Sequence, residues 1–246
     1  MQQLFKGYVP TKDKRCLVQF KDKTAEELST YDEIKNSEEY AGILDDNTIL
    51  IDIDDYDQSE ILMKIVEDKQ LKCRVYETTR GKHFLFKNKI LDKCKTHTTL
   101  AIGLGSDIKL GNRNSYEVLK FANKERPIIY DIFEDEEYED VPKWLLPIGT
   151  KVDFLKMEAG DGRNQALFNY ILTLQSNDFS VEEARECIRV IYDYVLSEPL
   201  DDSEIDTILR DGSFQKPIFY KGNSFLFDKF ARFMRSGDRI IRVIGQ

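Results

Sequence analysis

Up to the acidic run at 131–140, apolar positions mostly follow the two-residue period of strands; beyond it they follow the 3.6-residue period of helices. The stretch ILIDIDD (49–55) sets Ile49, Leu50, Ile51 and Ile53 between Asn47 and Tyr56-Asp57 and predicts a buried strand. Upstream, residues 16–20 predict a strand and 24–35 an amphipathic helix. The segment EEYAGIL predicts a second strand, joined to ILIDIDD by an Asp-Asp-Asn turn. Downstream, Ile61, Leu62, Ile65 and Val66 give one apolar helical face, with Asp57 as N-cap and Glu60 completing a capping box. Residues 74–78 and 83–86 predict a hairpin about Thr79-Arg80-Gly81-Lys82. Residues 99–110 and 115–121 predict another about Gly111-Asn112-Arg113-Asn114, and 127–132 a last strand.

In the helical part, residues 162–176 predict a helix with Leu167, Ile171 and Leu174 inward. Ser180 with Glu183, and Asp201 with Glu204, open two more with capping boxes. Residues 217–246 read as a helix and then a strand that stops in mid-pattern, which predicts a longer chain. The expected organisation is an α/β (α+β) domain over 1–148, a small all-α domain over 149–216, and a linker or the start of a further domain over 217–246.

Composition narrows the classes. The chain has 246 residues, 41% hydrophobic and 33% charged, with no apolar run near the roughly 20 residues of a membrane span. Cys16, Cys73, Cys94 and Cys187 show no CxxC spacing and only His83 and His97 accompany them. This argues against structural zinc and for free thiols in a reducing, cytoplasmic setting. The net charge of -9 argues against a general nucleic-acid coat, but seven acids lie in DIFEDEEYED (131–140), read as a solvated connector. Lys and Arg cluster at 80–126.

The candidate chemistry starts at Asp52 and Asp54. Two apart on a strand, they share a face, and such a pair repels unless a cation lies between them. That points to a hard divalent metal; the plainer alternative is a strand end whose acids cap the next helix, the role also open to Asp55. Arg80, Gly81, Lys82 and His83 form a cation-rich turn suited to phosphate. Asp107 lies on a later strand with Lys109 on the same face. Asp52, Asp54 and Asp107, with His83 nearby, are the inventory of a two-metal phosphoryl-transfer site, in which Arg80, Lys82, His83 and Lys109 would hold a triphosphate. Singly, His83 reads equally as a strand residue satisfied by a carbonyl, and each cation as solvated. His97 reads as a loop residue. Arg113, Lys120, Lys124 and Arg126 either track template phosphates or face solvent. The helical part offers no aromatic stacking platform.

The order hhhDhD, small-x-His, h-Asp resembles the three motifs of the archaeo-eukaryotic primase superfamily, in its phage and plasmid primase-polymerase branch. LIDIDD (50–55) stands for the first motif, Gly81-Lys82-His83 for the second and Ser106-Asp107 for the third. SDIKLGNRNSYEVL resembles that branch's GxDxxxxxxYVV segment, and the helices from DGRNQALF to PLDDSEIDTILRDG resemble the primase C-terminal helical domain. The likeness covers roughly residues 40–215. It implies a primase-polymerase catalytic domain with a mixed, largely antiparallel sheet, followed by the small helical domain. The implied activity is template-directed nucleotidyl transfer, that of a DNA primase or DNA polymerase. Asp52, Asp54 and Asp107 would bind two Mg²⁺ or Mn²⁺ ions and His83 would contact the incoming nucleotide. Single-stranded DNA and nucleoside triphosphates are the implied partners, in replication of a phage or mobile element within a bacterial cytoplasm. Many relatives carry Ser where Gly81 stands, which removes a hydroxyl contact to the triphosphate. No Gly-x-x-x-x-Gly-Lys-Ser/Thr loop is present, so the helicase half of an implied primase-helicase would lie beyond Gln246.

Two rivals remain. Haloacid-dehalogenase-like phosphatases also place Asp-x-Asp after an apolar strand, but want Thr or Val where Tyr56 stands. A non-catalytic replication initiator or DNA-binding module would keep the fold without activity, against which the full set Asp52, Asp54, His83 and Asp107 speaks. A Toprim site lacks its earlier strand Glu.

Overall fold

The structure is a computed structural model that describes residues 4–150, 152–158, 161–198 and 201–214. These belong to one compact unit, Met1–Phe214. The helix and strand expected within 217–246 lie outside the described residues.

The chain runs β1 Phe5–Lys12, β2 Arg15–Cys16, α1 Tyr31–Ile34, β3 Tyr40–Leu44, β4 Thr48–Ile53 and α2 Tyr56–Lys69. Then come β5 Arg74–Glu77, β6 Lys82–Lys87, β7 Lys95–Thr99, β8 Gly105–Leu110, β9 Tyr116–Phe121, β10 Lys124–Glu125 and β11 Ile128–Tyr130. Helices α3 Arg163–Gln175, α4 Val181–Val190 and α5 Asp202–Ile208 follow. The fold is mixed α+β with two antiparallel sheets, ordered β10-β9-β3-β1-β2 and β11-β5-β6-β4-β8-β7.

Strand β4 is buried along its whole length because both its faces are covered. Ile49, Ile51 and Ile53 pack with Phe84 and Phe86 against α2 and the later helices. Leu50 on the other face packs with Leu85 and Tyr76 against Tyr40 and Leu44 of the five-stranded sheet. Asp52 therefore points into the space between the sheets, continuing the row begun by Leu50.

Several expectations are corrected. The first strand is β1, not 16–20; only Cys16 of that stretch is paired. Residues 24–35 form no single helix. Thr24 caps a 3-10 turn and Thr30 caps the four-residue α1, each with its own Glu three residues on. The N-cap of α2 is Asp55, which accepts from Gln58 N at 2.9 Å, rather than Asp57, and Glu60 bonds elsewhere. The expected β8–β9 hairpin does not form: β8 pairs with β4 and β9 with β3, so the 111–115 link carries the chain from one sheet to the other. The Asp-Asp-Asn turn between β3 and β4 does the same. The acidic run is anchored as well as solvated, since Asp131 bonds Arg74, Glu136 pairs with Lys72 and Asp140 with Lys89.

Helices α3 to α5 keep the expected inward residues and both capping boxes. Their core is continuous with the α2 side of the six-stranded sheet across residues 148/149. Tyr170 Oη donates to Ala101 O at 2.6 Å, and Phe154 meets the Tyr170 ring edge-on. No described helix is long and apolar enough to cross a membrane.

Candidate metal centre

The centre is fixed by register. In the ladders flanking β4, Asp52 lies opposite His83 on β6 and opposite Asp107 on β8. Residues directly opposite in an antiparallel pair share a face, so all three side chains enter the space between the sheets. Asp54 follows at the strand's end. Ligand atoms of Asp52, Asp54 and His83 lie within 4.8 Å of one another, a group that can hold a metal ion.

Each acid already carries a cation. Lys109 Nζ lies 2.8 Å from Asp52 Oδ2, and the Arg80 guanidinium bonds Asp54. His83 Nε2 lies 2.9 Å from Asp52 Oδ1, an ion-pair contact and the one neighbour of that oxygen among the described residues. Oδ1 is otherwise buried without a hydrogen-bonded partner among the described residues. A buried carboxylate oxygen left in this way is costly, and a cation beside it would satisfy it. On this ground, and because two of the three donors are carboxylates, the residues fit a divalent ion.

Without an ion, Asp52 is neutralised by its neighbours. Burial alone would raise the Asp52 pKa, but contact with His83 and then Lys109 outweighs it and holds the carboxyl well below the usual range. Burial alone would lower the pKa of His83; the charge of Glu117 and the contacts with Asp52 and Glu117 reverse this and raise it. Burial is likewise overcome at Lys109, where Asp52 holds the ammonium charged.

Glu117 was no sequence candidate. It reaches in from β9, on the facing sheet, is 2% exposed, and bonds His83 Nδ1 at 2.8 Å. Arg126, expected as template-facing or solvated, donates to the same Glu117 oxygen. A sequence signal existed: Glu117 shares a strand face with Leu119, so an apolar companion marks that face as inward. Between the sheets, His83, Glu117, Lys109, Arg126, Lys14 and Asn114 line a cleft of about 460 Å³.

Other expected residues are placed differently. Lys82, next to His83 on the strand, faces the opposite way. Its buried ammonium bonds Glu60 and lies 4.9 Å over the Tyr56 ring, so it does not join the phosphate-gripping set. Asp107 is on the same face, but its Oδ1 accepts from His97 N at 2.6 Å, and the donor atoms that converge are those of Asp52, Asp54 and His83. His97 is a strand residue, at a β7 bulge with φ 48°. Arg113 donates to Asp92 O, and Lys120 to Lys35 O.

Gly81 is required by space. A Cβ there would lie 1.9 Å from Ile53 O, against the backbone that presents Asp54. The hairpin turn can close on the end of β4 only without a side chain. Thr78 completes the turn, with Oγ1 accepting from Gly81 N at 3.1 Å and donating to Gly81 O at 3.0 Å.

No model of a known protein family matches the chain, and no curated protein does.

Proposed function

We propose that the chain is the catalytic part of a template-directed nucleotidyltransferase, a DNA primase or DNA polymerase of the archaeo-eukaryotic primase type. The observation that carries the reading is the register. One buried aspartate on a central strand has the motif histidine opposite it on one neighbour and the motif aspartate opposite it on the other. The three sequence motifs are thereby drawn to one face at one level of the sheet, with cations around them.

In this reading Asp52 and Asp54 hold divalent metal with His83 beside them, and Asp107 completes the acidic set when substrate enters. Oxygen donors suit Mg²⁺ or Mn²⁺, and an imidazole in the set favours Mn²⁺. Bound metal would supply activation of a 3′-hydroxyl and neutralisation of the leaving pyrophosphate. The chain's own groups do the rest. Lys109 and Arg80 neutralise Asp52 and Asp54 and would be free to hold the phosphates if those carboxylates held metal. Arg126 and Lys14 give the cleft between the sheets further positive charge for the triphosphate or the template. Helices α3 to α5 would, by the resemblance, be the primase C-terminal helical domain.

The test is extension of a primed single-stranded template with labelled nucleotides and Mn²⁺ or Mg²⁺, beside the Asp52→Ala, Asp54→Ala double variant. Metal-dependent incorporation by the wild type alone is expected. Incorporation that persists in the variant removes these residues from the reaction, and phosphomonoester hydrolysis without incorporation favours the phosphatase rival.

A further inference from the structure

Glu117 comes to the centre from the sheet that carries none of Asp52, Asp54, His83 or Asp107. At 2% exposure its carboxylate is held by its partners rather than by water. Those partners are His83 Nδ1 at 2.8 Å and the Arg126 guanidinium, whose Nη1 also lies 2.9 Å from His83 Nδ1, so the proton on Nδ1 is set by Glu117 against Arg126. With Nδ1 committed to Glu117, Nε2 is the nitrogen turned toward the aspartates, 2.9 Å from Asp52 Oδ1. Tyr76, opposite His83 on β5, stands on its other flank. The ring cannot rotate without abandoning a buried carboxylate.

We propose that Glu117 is the positioning residue that presents His83 Nε2 as third ligand to the cation held by Asp52 and Asp54. The result is a carboxylate–histidine–metal relay that joins the two sheets. The inference rests on the metal reading of Asp52 and Asp54. In such relays the outer carboxylate fixes the ring's tautomer and orientation, and its loss costs about 10–100-fold in metal affinity. Arg126, donating to Glu117, holds that carboxylate in turn. The relay also gives the five-stranded sheet a part in a site whose ligands all belong to the other sheet.

The experiment titrates Mn²⁺ alone into the full chain. Affinity is read from the free-ion EPR signal, and bound nitrogen from electron spin echo modulation. The wild type should show directly coordinated imidazole nitrogen, and H83N should lose it. E117Q should bind Mn²⁺ about 10–100-fold more weakly, with E117D between it and the wild type. Absence of nitrogen coupling in the wild type overturns the proposal while leaving the aspartate site standing, as does E117Q that binds like the wild type. D52N and D54N that bind Mn²⁺ as tightly as the wild type overturn the underlying metal reading instead. Should E117Q fail to fold, nitrogen NMR of His83 in the Mg²⁺-loaded wild type decides. A proton on Nδ1 is expected, and one on Nε2 overturns the proposal.

Discussion

Replacing Gly81 with alanine should damage the centre without altering any of its ligands. The added Cβ would stand 1.9 Å from Ile53 O, 3.0 Å from Ile53 C and 3.3 Å from Asp55 N, all backbone atoms. No side chain can swing aside to relieve the clash. The turn or the end of β4 must retreat by about 1 Å in a close-packed region. Thr78 ties the turn to itself through both polar atoms of Gly81, so the turn moves as a unit. Overpacking of this kind costs about 1–3 kcal/mol, and backbone obstacles put Gly81→Ala in the upper half of that range. For a unit of this size that corresponds to a fall of roughly 4–12 °C in Tm. Ile53 and Asp55 flank Asp54, so the same movement separates Asp54 from Asp52 and takes Arg80 off its carboxylate. Losing one ligand's alignment, at about 1.4 kcal/mol, weakens Mn²⁺ binding roughly tenfold. Calorimetric unfolding and a Mn²⁺ titration on the same preparation check both effects. Wild-type Tm and wild-type Mn²⁺ affinity in Gly81→Ala would refute the steric reasoning.

Three further outcomes follow from the placement of single residues. Lys82→Ala should lower Tm, because it strips a charge-assisted hydrogen bond worth about 1.5 kcal/mol where Glu60 is half exposed. It should leave nucleotide KM near wild type, whereas Lys109→Ala should raise KM; the reverse pattern would contradict the opposed faces of the two lysines. Asp107→Asn should bind Mn²⁺ like the wild type without nucleotide, since the Asp107 carboxylate is engaged by His97 N, yet lose primer extension. Tight binding lost in this variant would make Asp107 a ligand of the nucleotide-free site. Thiol alkylation at pH 8 should label exposed Cys94 first. Cys16, pushed up to about 11 by burial, should follow slowly, and Cys73 and Cys187, raised further by burial, should react only on unfolding. Early mass addition at Cys73 or Cys187 would show that the core opens there.

The parts legible in the sequence were those decided locally. ILIDIDD opens with apolar residues on both faces, Ile49 and Ile51 on one and Leu50 on the other, as a strand covered on both sides needs. The 74–87 hairpin is announced by its short polar turn, and the capping boxes at Ser180 and Asp201 need only four residues each. What was not legible depends on the partner rather than on the segment. The five-residue link 111–115 after β8 has the length of a hairpin loop, yet here it crosses between sheets, because β9 finds its hydrogen bonds on β3. Strand β1 escaped because Gly7, Pro10 and its lysines mask an alternation that only burial shows. The stretch 24–35 has helical capping chemistry twice over, so it makes two single turns instead of one helix. At the site, Asp52 and His83 could be read from local motif spacing. Lys82 reads with the turn's cations because a turn residue and a first strand residue look alike until the pleat assigns them to faces. Glu117 belongs to the other sheet and could be reached only through Leu119 beside it.

If Asp52, Asp54 and His83 hold a divalent ion for nucleotidyl transfer, anomalous diffraction from crystals grown with Mn²⁺ and a non-hydrolysable nucleoside triphosphate will show it. A manganese peak coordinated by Asp52 Oδ1, Asp54 and His83 Nε2 is expected, with the triphosphate beside Arg80 and Lys109. Manganese bound elsewhere, or a centre where Lys109 and Arg80 keep Asp52 and Asp54 to themselves at saturating metal and nucleotide, would contradict it.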